Sequence, residues 1–158
     1  MSFKLLTAGL ASFALASLAL TACTSTEPEA DISASLMARP WKISSATAAP
    51  GVTVNGHLIT NVLDSMQSDC DAHTIVRYLS RDSLAVSTDS VGCGSGHGMW
   101  TRSGNVVTTT FNKDSGPETT VYTVLSVSST RLTMTWVASA SQSPDSIPHT
   151  VTEVYLAQ

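Results

Sequence analysis

"YTVLSVSSTRLTMTW", residues 122–136, is two strand-length runs around a short turn. After the turn, Leu132, Met134 and Trp136 alternate with Arg131, Thr133 and Thr135. Successive side chains of an extended chain point to opposite faces, so this spacing makes one apolar and one polar face. The turn, "SST" at 128–130, is of hairpin length, and its hydroxyls suit local backbone bonding. The stretch predicts an antiparallel hairpin with one face turned to a core.

The same reading extends outward. A first strand begins at Trp41 in "WKISSA", and others follow at 73–79, 83–89, 98–102, 106–112, 119–127, 131–139 and 149–156. Their connections, "SRD", "VGCGSGHG", "SGN", "KDSGPE", "SST" and "SQSPDSIP", are rich in turn formers. Within the longer excursion 47–69, Ile59, Val62, Leu63 and Met66 fall at i, i+3, i+4 and i+7 with Asn61 as a cap, which predicts one short helix. No long helical pattern separates the strands, which argues against a parallel α/β sheet. Eight meandering strands predict an all-β fold: an eight-stranded antiparallel up-and-down barrel with one short helix. Closure would remove the exposed edges, and the interior would be filled by side chains or hold one small ligand.

The chain opens with Lys4, then an apolar run from Leu5 to Ala22 that ends on Cys23. A charge followed by a short apolar segment and small residues is the pattern of a secretory signal. "Leu20-Thr21-Ala22-Cys23" resembles the lipobox of bacterial lipoproteins. The resemblance implies cleavage before Cys23, a diacylglycerol on its sulfur and acylation of the new N-terminus. It also implies a place in the bacterial cell envelope, lipid-anchored at the outer membrane on its periplasmic or surface face. Residues 1–22 are then the signal peptide. Residues 23–38 read as an acidic flexible tether, since "TSTEPEADISAS" carries little that could build a core. Residues 39–158 form one domain. Of eight Lys and Arg, Lys4 leaves with the signal, so seven basic residues face twelve acidic ones. That balance excludes electrostatic binding of nucleic acid.

Export places Cys70 and Cys93 where disulfides persist. The runs "HTIVRYL" and "SLAVSTD" lie between them. A tight hairpin with Arg81 and Asp82 at its tip pairs residues whose numbers add to 163, and the two cysteines satisfy that relation. A structural disulfide follows. A catalytic thiol does not, because neither cysteine sits in a Cys-x-x-Cys pair or beside a base.

Taken in order, several short motifs over about residues 40–156 resemble the bacterial lipocalin-like domain family. They are Trp41 in "RPWKI", Cys70-Asp71, Tyr78 in "VRYLSRDSL", "CGSGHGMWTRSGNVV" with Gly98-x-Trp100, and the hairpin at 122–136. The resemblance implies a lipocalin-like barrel and a binding role for inward aromatic and apolar residues. The candidate ligand-binding set is Trp41, Tyr78, Trp100, Tyr122, Leu132, Met134 and Trp136. For Trp41 and Trp100 the competing reading is a plug of the barrel end, and for Leu132, Met134 and Trp136 it is packed core.

Other candidate chemistry is thin. His57, His73, His97 and His149 are scattered, without the convergent spacing of a zinc site. "GCGSGHG" lacks both the nucleotide fingerprint and the Gly-x-Ser-x-Gly elbow, so a rim loop is the better reading. Ser95 and His97 show no triad spacing. The sequence therefore leads to no enzyme, no cofactor and no metal. It leads to a monomeric lipoprotein whose partners are the membrane, through its lipid anchor, and a small hydrophobic ligand. The alternative is a structural or interaction lipoprotein whose barrel is filled by its own side chains.

Overall fold

The computed structural model describes residues 31–63, 69–80, 82–113 and 116–158. The signal peptide, Cys23, most of the tether, Met66 and Arg81 lie outside the described residues. Among them are nine strands: β1 (Trp41–Val54), β2 (His57–Asn61), β3 (Thr74–Tyr78), β4 (Ser83–Thr88), β5 (Gly96–Ser103), β6 (Val106–Lys113), β7 (Gly116–Val127), β8 (Arg131–Ala138) and β9 (His149–Ala157). All neighbours pair antiparallel, in the order β2-β1-β3-β4-β5-β6-β7-β8-β9, and β1 also pairs with β9. Eight strands thus close into a barrel, and β2 lies outside the ring as a hairpin on the far half of β1.

That far half corrects the expected helix. Ile59 lies in β2, and His57, Leu58 and Ile59 pair with Val54, Thr53 and Val52. The turn between the strands is Asn55-Gly56, both at positive φ (50° and 81°). An Asn-Gly pair adopts that backbone at little cost and closes a two-residue hairpin. This dipeptide outweighs the helical spacing of the apolar residues that follow it. The described helices are α1 (Ser33–Met37), α2 (Asp69–Ala72) and a 3-10 turn at Ala140–Gln142.

β1 also runs further than "WKISSA" predicts. Pro50 cannot donate to a ladder, yet β1 continues through it. The ladder to β9 ends at Ala49–Thr150, and that to β2 resumes at Val52–Ile59, so Pro50 falls in an irregularity. A second shift, between Ile43 and Ser45, changes which residues face inward: Trp41 and Ile43 before it, Ala46 and Ala48 after it.

The barrel has a closed end, where α1 and the β3–β4, β5–β6 and β7–β8 turns lie. The stretch read as tether contributes here. Leu36 of α1 is wholly buried, and its carbonyl accepts a bond from Trp41 Nε1 at 2.9 Å. Arg102 reaches Asp31 at 3.0 Å, and Arg39 donates to the carbonyl of Ser129. Trp100 Nε1 donates to Leu79 O at 3.1 Å, and its ring meets Tyr78 edge-on at 5.1 Å. Around these pack Leu84, Val107, Val124, Leu132 and Met134, all buried. Fully burying one such side chain is worth about 1.5–3 kcal/mol.

At the opposite end His149 is 2% exposed and holds the β8–β9 connection to β1. Its Nδ1–H donates to Pro50 O and its Nε2–H to Asp145 Oδ1, each at 2.8 Å. Both acceptors call for an N–H opposite them, so the pair of contacts favours the imidazolium form. The Asp145 carboxylate and the Pro50 carbonyl raise its pKa accordingly. Asp145 also accepts the Thr53 and Ile147 N–H groups, and these bonds, with the Thr53 one foremost, hold its pKa down to about 2.

Cys70 and Cys93 form the expected disulfide, with their Cα atoms 5.5 Å apart. The hairpin register differs by one residue from that expected. Thr74 faces Thr88 and Tyr78 faces Leu84, so partner numbers add to 162. Cys70 sits in α2 and Cys93 in the turn before β5, beyond the ladder, and the reach of the two side chains absorbs the offset. Replacing both cysteines by serine is expected to lower stability by about 3 kcal/mol, as closure of this loop predicts, with the barrel intact. Denaturant melts of the oxidised protein and the double variant check this, and equal midpoints would show that the bridge contributes nothing.

Candidate functional site

Side chains fill the closed end of the barrel and leave a chamber of about 590 Å³ toward the other. Sixteen described residues line it. On the mouth side they include Thr74 at the start of β3, Gly96 and His97 at the start of β5, Asn112 at the end of β6 and Glu118 near the start of β7. Deeper lie Ile43, Val76, Leu84, Val86, Thr109 and Thr120. Several of these are β-branched and short, which is why they leave space where the leucines and tryptophans of the closed end leave none.

Four rings stand in the wall: Phe111, Tyr122, Trp136 and Tyr155. Phe111 faces Gly98 across the β5–β6 ladder. A Cβ on Gly98 would lie 2.8 Å from the Phe111 ring and 2.6 Å from Thr110 O. Glycine is what allows that ring to lie across β5. Tyr122 and Trp136 meet edge-on, 6.5 Å between centroids with planes at 64°.

The chamber contains one deeply buried carboxyl. Glu153 of β9 is 5% exposed. Trp136 Nε1 donates to its Oε1 at 2.8 Å, and Tyr155 Oη donates to its Oε2 at 2.6 Å. Burial pushes the Glu153 pKa above the carboxylate range, and the two hydrogen bonds offset that only in part. Tyr155 and Tyr122 are pushed well above the ordinary phenol value, first by burial and then by the charge on Glu153.

The structure divides the candidate binding residues in two. Tyr122 and Trp136 line the chamber. Trp41, Tyr78, Trp100, Leu132 and Met134 belong to the packed core of the closed end and do not line it. Alternation places the whole set on inward faces but says nothing of depth along the barrel. Glu153, Tyr155 and Phe111 were missed. The signal for the first two was present in "TVTEVYL", 150–156, where Val151, Glu153 and Tyr155 share the face that alternation turns inward. An acid on such a face is the anomaly to notice. Ser95 and His97 are exposed, and His97 stands at the chamber mouth. Among the described residues no three His, Cys, Asp or Glu converge as metal ligands.

No family model matches the chain, and no curated protein matches it. What the fold and site define is a class by geometry: a closed eight-stranded antiparallel barrel, plugged at one end and hollow toward the other, with one acid buried deep in the hollow and a second toward its mouth.

The raised pKa of Glu153 has a consequence for stability. The unfolded chain ionises this group near pH 4.5, while the folded chain holds its proton to higher pH. Folding therefore loses stability as pH rises from that point through the folded pKa. Glu153→Gln removes the titration. Its carbonyl can accept from Trp136, and its amide can donate to Tyr155. The variant is expected to be more stable than wild type at pH 8 and equal to it at pH 4, as read from denaturant midpoints. A difference that does not depend on pH would remove the ionisation account.

Proposed function

We propose that this chain is a lipid-anchored envelope protein whose barrel binds a small, largely apolar molecule in its chamber. One observation carries the reading: a cavity of about 590 Å³ within a closed barrel, in the size range of small-molecule sites. Its aromatic and aliphatic wall with a few placed polar groups is the usual composition of such sites. The competing reading, a barrel filled by its own side chains, describes only the closed end. The lipocalin-like motif order supports the same function.

The anchor reading rests on Leu20-Thr21-Ala22-Cys23. From Cys23 to Asp31 the chain can span at most about 30 Å. Asp31 is held by Arg102 beside the closed end. An anchor at Cys23 would hold the plugged end within that distance of the bilayer and leave the mouth free to face away from it.

Two experiments test the two halves. Val86 of β4 is half-buried and faces the chamber. Val86→Trp should fill it, weakening an apolar fluorescent probe by about tenfold or more. The stability change should stay under ~1 kcal/mol, since the ring enters space rather than packed core. Probe binding unchanged by the ring would place the probe elsewhere. Separately, Cys23→Ala should move the protein from the membrane pellet to the soluble fraction with its barrel intact. Retention in the pellet at the wild-type level would refute the anchor.

A further inference from the structure

The chemistry of the chamber restricts its occupant further than size does. Among the described residues no Lys or Arg lines it, whereas Glu153 lies within it and Glu118 stands toward its mouth. A carboxylate or phosphate ligand would meet the Glu153 side chain with no lysine or arginine among the described lining residues to balance the pair. Like charges brought together in a buried site repel, and each loses its water. A neutral apolar ligand would fit the walls but would leave the carboxyl without purpose, because a buried acid costs stability that an apolar residue would not.

Glu153 is built to accept more than it does. Among the described residues each oxygen takes one hydrogen bond, from Trp136 or from Tyr155. An ionised carboxyl has about four acceptor positions, so two remain. Beside it, the Tyr122 and Trp136 rings stand at 64° and form a corner. The faces of such rings attract a cation within about 6 Å. The described groups that act on Glu153 are Tyr155, Trp136, Tyr122 and, behind the wall, Tyr78, none of them cationic.

We propose that the occupant is an organic cation, an ammonium head on an apolar body, with the head paired to Glu153 in the corner of Tyr122 and Trp136 and the body along the aliphatic wall. This rests on the chamber being a ligand site, and it names the ligand class. Burial disfavours the negative charge on Glu153, and an arriving cation would supply a charge partner.

The test compares three ligands with one tail, decylamine, decanol and decanoate, by calorimetry at pH 7 below the concentration at which each forms micelles. Wild type should bind decylamine about tenfold or more tighter than decanol, and decanoate weakest. Glu153→Gln should erase the advantage of the amine and keep decanol binding. Should that variant fail to fold, the wild-type ranking decides. Decanoate binding as tightly as decylamine would overturn the proposal while leaving the chamber a ligand site. Binding of none of the three would overturn both. The chain carries a net charge of −4, so a surface site for the amine must be excluded. Val86→Trp should abolish decylamine binding, and binding that survives it would place the amine outside the chamber and sink the proposal.

Discussion

The pairing of β1 with β9 is the constraint on which the rest depends. It runs from Trp41–Ala157 to Ala49–Thr150 and joins the start of the domain to its end. Without it the sheet would be an open meander with a long unpaired edge on β9, and open edges invite association with other chains. With it, every inward side chain faces a common axis. Because β1 is 14 residues long, it also has length to spare: its first residues pair with β3 and β9, and its last with β2. The His149–Asp145 contacts hold that far half of β1 to the β8–β9 connection, so the long strand is fixed at both ends.

Once the ring is closed, the size of inward side chains decides what is solid and what is hollow. The same eight strands form both ends. At the closed end Trp41, Trp100, Tyr78, Leu132 and Met134 fill the interior, with α1 laid across it and Leu36 pressed in from outside the ring. Toward the mouth the inward positions fall to Val86, Gly96, Thr109 and Thr120, and space remains. The plug and the chamber are thus one design. Large rings at one end make the barrel stable enough to tolerate an unfilled volume at the other, where packing and its energy are forgone.

Glu153 shows the tension between stability and function in a single side chain. An apolar residue there would pack with Val151 and Tyr155 on the same strand face without any desolvation of charge. Instead the strand carries a carboxyl, and two neighbours spend their only strong donors on it: the indole N–H of Trp136 and the hydroxyl of Tyr155. The carboxyl is thereby held in a buried position at a cost in stability that its two hydrogen bonds offset only in part.

The sequence alone determined the eight strands of the ring, their hairpin connections and the closed antiparallel architecture, because alternation, β-branching and turn chemistry are local. It also determined the Cys70–Cys93 bridge, since the two cysteines flank one hairpin and a one-residue register error lies within the reach of their side chains. It could have revealed β2 through Asn55-Gly56, where a strong turn pair overrode a chance helical spacing. Alternation turned Trp41, Tyr78, Trp100, Tyr122, Leu132, Met134 and Trp136 inward but could not say which lay at the plug and which on the chamber. Depth in a barrel depends on strand stagger and on the bulges in β1 and β7, and these are set by pairing between distant segments. For the same reason only the tertiary structure brought Glu153 of β9 together with Trp136 of β8, Tyr122 of β7 and Phe111 of β6. The chamber is a property of all eight inward faces at once, and no window of sequence contains it.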